Sequence, residues 1–139
     1  MTVAISTDAA QTGWMKIHIL GNAVAAGLVG QVLNPEGVLV QIVRGVLYVT
    51  TASTAAATFN IGIGATGVDA ATLVSALDVN ATTAGTAWQV VGQDLASEGA
   101  ATTPKGILWP AAEYVTVTSA ANASTGLVAD LFLQYIRLA

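Results

Sequence analysis

The chain has no cysteine, one histidine, four basic residues and eight acidic residues in a length of 139. Each shortage closes off a kind of chemistry. Without cysteine there is no disulfide framework, no thiolate metal site and no cysteine-dependent mechanism. His18 stands between Ile17 and Ile19 on an apolar stretch. Any serine triad would have to use it, and there is no G-x-S-x-G elbow to present the serine. A zinc site fails for want of ligands. A lone histidine in that setting reads as a packed or interface residue.

The basic residues, Lys16, Arg44, Lys105 and Arg137, are scattered, and the formal net charge is −4. Phosphate binding needs clustered cations, so no nucleic-acid partner is expected. Long apolar runs are also missing. Ile17 to Leu33 comes nearest, but His18, Gly21, Asn22, Gly27, Gly30 and Gln31 interrupt it. It also falls short of the roughly 18–20 residues that cross a bilayer, so no membrane partner is expected. The opening MTVAISTDAAQTG carries no basic stretch followed by an apolar core, so no secretion signal is read there.

The carboxylates are dispersed. Asp94 and Glu98 lie in a polar stretch without calcium-loop spacing and read as a solvated loop. Asp69 reads as a helix cap and Glu36 as a turn residue. A spatial pair for glycoside hydrolysis is open to any chain with loop carboxylates, and nothing in the pattern argues for one. GIGATG, residues 62–67, is neither a dinucleotide fingerprint nor a P-loop and reads as a turn. Asn80-Ala-Thr82 and Asn122-Ala-Ser124 match a glycosylation pattern short enough to arise by chance. No residue is assigned a catalytic, cofactor-binding or metal-binding role, and no cofactor is expected. Trp14, Trp88 and Trp109 fit a sugar-stacking platform or, as the favoured reading, core and interface packing.

Hydrophobic residues make up 54% of the sequence and charged ones 9%, against about 25% charged in an ordinary soluble domain. Such a surface is either covered by other subunits, which is the favoured reading, or built of Thr, Ser, Ala and Gly.

The pattern along the chain is that of strands and turns. Residues 1–13 are small and polar, an N-terminal arm of the kind that orders against a neighbour, and 14–139 form one domain. Trp14 to Leu20 alternates, with Met15, Ile17 and Ile19 as its apolar face. Gly21 to Gly27 turns the chain into a strand at Leu28 to Leu33. Asn34-Pro35-Glu36-Gly37 is a turn. Val38 to Thr51 is the longest β-type run, apolar on both faces, with a bulge or bend expected at Gly45. Thr58 to Ile63 is a strand. Asp69 caps a short helix over Ala70 to Leu77, where Leu73, Val74 and Leu77 follow i, i+3, i+4 spacing. Ala87 to Val91 and Ile107 to Trp109 are short strands, the latter an edge strand ended by Pro110.

Glu113 to Ser119 and Leu127 to Leu138 flank an Ala/Asn/Ser/Gly break and read as a closing hairpin. In the second of them Leu127, Ala129, Leu131, Leu133 and Tyr135 share one face, and Asp130 and Gln134 interrupt the other. AAGLVGQVL (25–33) and STGLVADLFL (124–133) share an opening that fits two equivalent turn-to-strand transitions or chance similarity. The fold class is therefore all-β: a single-domain jelly-roll-like β-sandwich of about eight strands with one short helix.

Several stretches in order, NPEGVLVQIVRGVLYVTTAST, AATFNIGIGAT, LVSALDVN and WPAAEYVTVTSAANASTGLVADLFLQYI, resemble the capsid decoration, or cement, proteins of tailed bacteriophages. The similarity covers most of residues 30–138. It implies a non-enzymatic virion protein, made in the bacterial host cytoplasm. It would bind the outside of the capsid as a homo-oligomer, a dimer or trimer, and stabilise contacts between subunits of the phage major capsid protein. Candidate contact regions are the arm before Trp14 and the loop Gly92 to Gly106. The alternative is a carbohydrate- or receptor-binding β-sandwich module of a phage head fibre or tail, using the tryptophans.

Overall fold

Alternating and β-branched segments have few ways to bury an apolar face except by facing another sheet, and this chain does so with nearly all of them. A computed structural model describes residues 12–80, 85, 87–89 and 107–138. They form β1 (Thr12–Leu20), β2 (Gly27–Leu33), β3 (Val40–Thr51), β4 (Thr58–Gly64), β5 (Val74–Asp78), β6 (Ala87–Gln89), β7 (Ile107–Trp109), β8 (Tyr114–Ala121) and β9 (Val128–Arg137). One sheet has the order β1-β9-β3, with β6 and β7 end to end along the far edge of β3, and the other has the order β2-β8-β4-β5. Every pairing is antiparallel. The two sheets face each other as a sandwich. Ile17, Ile19, Leu47, Val49, Leu131 and Leu133 from the first sheet are buried together with Phe59, Ile61, Val115 and Val117 from the second.

The expected faces of β1 and β9 are borne out. Ile17 and Ile19 are buried while Trp14, Lys16, His18 and Leu20 are exposed, and the odd positions Leu127 to Tyr135 are all buried. The turn at residues 34–37 also forms, with Gly37 at φ +66°. Asn34 organises it. Its Oδ1 accepts from the Glu36 N–H at 2.9 Å, and its Nδ2 donates to the carbonyls of Val38 and Trp109 at 2.9 and 2.8 Å. The two Gly-Leu-Val openings both lead into strands, the first as the start of β2 and the second ending on the first residue of β9, and both carry a positive-φ glycine, Gly27 at φ +130° and Gly126 at φ +83°.

Three features differ from the sequence reading. First, residues 113–138 do not form a hairpin: β8 is central in the four-stranded sheet and β9 central in the five-stranded one. The break between them, with Asn122 at φ +60° and buried Ser124, carries the chain across the sandwich. Turn residues between two apolar runs serve an arch between sheets as well as a hairpin, and the arch gives each strand two partners.

Second, residues 70–77 are not helical. The Leu73 N–H donates to the Ile61 carbonyl at 2.9 Å, β5 pairs with β4, and Ala76 sits at φ +50° with its N–H bonded to Asn60 Oδ1 at 2.8 Å. Two turns of helix hold few internal hydrogen bonds, whereas the free edge of β4 offers a ladder. The irregularity around Ala76 adds one residue to β5, so Val74 and Leu77 both stand opposite buried residues of β4, Ile61 and Phe59.

Third, β3 is not apolar on both faces for want of a wet side. A bulge at Val43, not Gly45, reverses its alternation. Val40 and Ile42 are buried before it, and Leu47 and Val49 after it. The same bulge divides the far edge of β3 between β7, paired with Val40 to Ile42, and β6, paired with Val46 to Tyr48.

Candidate interaction surface

The outer faces of the two sheets are treated in opposite ways. On β4 and β8 the outward positions are small or polar, and residues 65–73 fold over them. Asp69 Oδ1 accepts from Asn60 Nδ2 at 3.0 Å and from the Thr118 hydroxyl at 2.6 Å. Those two bonds, the Thr118 one foremost, hold the Asp69 carboxyl below the usual range. Gln31 fastens the other end of the loop, donating to Thr66 Oγ1 at 2.7 Å and accepting from the Gly67 N–H at 2.8 Å. The loop can approach because Gly62 has no side chain: a Cβ there would stand 2.6 Å from the Ala70 backbone. Thr116 and Thr118 are buried as a result.

The outer face of the five-stranded sheet is mixed, with exposed Trp14, Leu20 and Tyr48 among polar and charged side chains, and no described residue covers it in this way. Cross-strand register arranges it in rows: Trp14, Gln134 and Arg44; Lys16, Phe132 and Val46; His18, Asp130 and Tyr48. Trp14 and Leu20 on β1 are each 59% exposed, and Tyr48 and Val43 are exposed on β3, across β9 from them. Asp130 is the electrostatic centre. Its Oδ1 lies 2.7 Å from His18 Nδ1 and its Oδ2 lies 3.4 Å from Lys16 Nζ. The His18 bond, with Lys16 adding to it, keeps the Asp130 carboxyl below the usual range. Lys16 Nζ also stands 5.9 Å from the centroid of the Phe132 ring, within cation–π reach. Lys16, His18 and Asp130 are thus paired with one another on this face, with the Phe132 ring beside them.

A second charged group sits at one end of the sandwich. Glu36 accepts from Arg137 Nε at 2.6 Å and from the Tyr135 hydroxyl. The Arg137 bond and then the Tyr135 bond lower the Glu36 pKa, and the carboxylate in turn raises that of Tyr135. Between the edge strands β1 and β2 lies a cavity of about 150 Å³, lined by Ile17, Ile19, Val29, Val32, Val115 and Val117 with Gly30 at its wall.

The candidates from the sequence fall in different places. His18 is exposed on the outer sheet face, bonded to Asp130. Trp109 is fully buried, its indole N–H donating to the Glu113 carbonyl at 2.8 Å, so it belongs to the core and to no sugar platform. Trp14 is exposed, while the Trp88 side chain lies outside the described residues, as do residues 1–11 and the loop 92–106 with Asp94 and Glu98. Asp69 caps no helix, and Glu36 holds Arg137 and Tyr135. Asn122 Nδ2 donates to the Ala56 carbonyl at 2.6 Å, so that amide braces the arch.

Among the described residues no group of three or more His, Cys, Asp or Glu is placed to hold a metal ion. Among them, too, no helix is long and apolar enough to cross a membrane. The continuous outer face across β1, β9 and β3 was legible only in part. The interruption of β9 by Asp130 and Gln134 marks it, but the contribution of β3 depends on the bulge.

No protein-family model and no curated protein sequence matches the chain. Two solved structures share its fold. A chain of the structure described as "Capsid of Ralstonia phage GP4" aligns at a TM-score of 0.57 and 18% identity, over 100% of this chain and 92% of that one. A chain of "Cyanophage Pam1 capsid asymmetric unit" aligns at 0.54 and 14%, over 99% of this chain and 94% of that one. Both likenesses span the whole two-sheet arrangement.

Proposed function

We propose that the chain is a non-enzymatic structural protein of a phage virion. In this reading it binds the outside of the capsid as a homo-oligomer and stabilises contacts between major capsid subunits. The observation that carries the reading is the outer face of the five-stranded sheet, where Trp14, Leu20 and Tyr48 are exposed and no described residue folds over them. Large apolar side chains exposed together on one sheet face mark a protein interaction site, and the pairing of Asp130 with His18 and Lys16 lowers the cost of covering those charges. The two structural neighbours, both chains from phage capsid structures, support the setting.

The strand order supports a jelly-roll-like wiring. If β6 and β7 count as one interrupted strand, the sheets run first-eighth-third-sixth and second-seventh-fourth-fifth in chain order, the double Greek key of that fold. We take residues 1–13 as an arm and 14–139 as one domain, with β1 beginning at Thr12 within the last two residues of that arm, and place the protein on the virion, with no nucleic-acid or membrane partner. Binding only the assembled shell stabilises that shell by linkage.

The test is co-sedimentation of the purified protein with shells of its own phage that lack it. Saturable binding and raised resistance of the shells to heat or chaotrope are expected. Protein left in the supernatant at saturating concentration ends the proposal.

A further inference from the structure

Sheets in soluble proteins protect their edges with short strands, bulges, prolines or charge, because an open edge templates pairing with another chain. Three of the four edges here follow that rule among the described residues. β6 and β7 have three residues each. β5 has five residues with Ala76 at φ +50°, and its register with β4 is broken. β2 carries a bulge at Val29 beside Gly30.

β1 is the exception. It is nine residues long, contains no proline, and keeps an unbroken register with β9 from Thr12↔Ile136 to Leu20↔Val128. Its core-side residues Met15, Ile17 and Ile19 are apolar; on the outer side Trp14 and Leu20 are exposed, and the charge at Lys16 is drawn back to Asp130 on β9 together with His18.

We infer that the edge of β1, which no described strand pairs, pairs antiparallel with β1 of a second copy of this chain, joining two five-stranded sheets across a two-fold axis. The side chains choose the register. A dyad at Lys16 would pair all nine residues but set Lys16 against Lys16, and like charges directly opposite are destabilising. A dyad at His18 sets histidine against histidine and leaves Trp14 beyond the partner strand. A dyad at Met15 leaves Ile19 and Leu20 unmatched.

A dyad at Ile17 satisfies both faces. On the core side Ile17 meets Ile17 and Met15 meets Ile19. On the outer side Trp14 meets Leu20, and Lys16 meets His18, whose ring is bonded to Asp130. Each lysine thereby gains a second acidic neighbour, and the exposed Trp14 and Leu20 cover each other. The cavity between β1 and β2 lies at this same edge of the sandwich, so the second copy would stand beside it. An isologous contact of this kind is self-limiting: it closes at two copies.

The pairing stands on the geometry of β1 and does not depend on capsid binding, so the test uses the purified full chain without shells. Three measurements are combined. Sedimentation across a concentration range should show a monomer–dimer equilibrium. Hydrogen exchange should show β1 amides more protected at high than at low concentration. Because the chain has no cysteine, an equimolar mixture of K16C and H18C chains gives a clean reporter: under mild oxidation it should form the mixed disulfide dimer, and each variant alone should form little. H18K, which places a lysine opposite Lys16 twice per dimer, should raise the dissociation constant by about tenfold with an unchanged melting temperature for the dilute monomer. A chain that stays monomeric throughout, an oligomer of another number, or a dimer without β1 protection or the mixed disulfide overturns the inference.

Discussion

The ring of Tyr135 on β9 lies across Gly13, its register partner on β1, so closely that a Cβ on Gly13 would stand 2.5 Å from Cζ and from the hydroxyl. Tyr135 is buried, and its hydroxyl is bonded to Glu36, which also holds Arg137. One glycine therefore fixes a tyrosine that ties β9 to the turn at residues 34–37. The ring cannot move aside cheaply. Gly13→Ala should destabilise the fold by about 1–3 kcal/mol, the usual range for overpacking, measured by chemical denaturation. Gly30→Ala is the matched control: a Cβ there meets nothing within 4 Å, and the change should cost well under about 1 kcal/mol. Equal effects at the two positions would contradict this account.

Val43 adds one residue to β3 without a partner on β9. Side chains alternate with a period of two, so removing a single residue sends everything beyond it to the opposite face. Deleting Val43 should therefore turn Leu47 and Val49 outward and abolish cooperative folding, as seen by loss of a thermal transition. Val43→Thr keeps the count and changes one exposed side chain, so it should shift stability by less than about 0.5 kcal/mol. A deletion variant that still melts cooperatively would mean that β3 can re-register.

These two sites also show what was legible in the sequence. β1 and β9 could be read because each keeps one unbroken alternation, and Asp130 and Gln134 marked the outer side of β9. β3 could not, because a bulge mid-strand makes two one-sided halves add up to a sequence apolar at every second position on both faces. Gly45 drew attention as the residue with the freer backbone, yet the bulge fell at Val43. Residues 70–77 misled for a related reason: Leu73, Val74 and Leu77 satisfy helical spacing, and the extra residue in β5 sets Val74 and Leu77 against the buried Ile61 and Phe59 of β4. The arch at 122–127 uses the residues a hairpin would use. Which sheet each flanking strand joins depends on contacts far away in the chain, and local composition carries none of that.

Acid should loosen the molecule at three places. Hydrogen bonds from Arg137 and Tyr135 lower the Glu36 pKa, the Thr118 and Asn60 bonds lower that of Asp69, and the His18 bond followed by Lys16 lowers that of Asp130. A carboxyl whose folded pKa lies below its unfolded value binds more protons unfolded. Its stabilising contribution is therefore full above the unfolded value of about 4 and is lost as pH falls through the folded one. Stability should be flat with respect to these groups near neutrality and should fall below about pH 4–5. Asp69→Asn and Asp130→Asn should each flatten that fall. Melting temperatures from pH 7 down to pH 3 test this, and a parent and variant that decline in parallel would show that the carboxylates do not carry the effect.

Trp109 and Trp14 separate folding from binding. Trp109 is fully buried and its indole N–H satisfies the Glu113 carbonyl, so Trp109→Ala should cost about 3–5 kcal/mol and reduce shell binding only through loss of folded protein. Trp14 is 59% exposed on the outer sheet face. Trp14→Ser should leave the monomer within about 0.5 kcal/mol of the parent while weakening attachment to shells, because it removes a large ring from the surface proposed to be covered. Tyr48→Ser, on β3 beside Asp130 in the same face, should act in the same direction. Co-sedimentation titrations alongside denaturation curves decide the matter. If both outer-face variants bind shells as tightly as the parent, the contact surface is elsewhere on the sandwich. If they bind less tightly at unchanged stability, the face built by β1, β9 and β3 is the one that meets a partner.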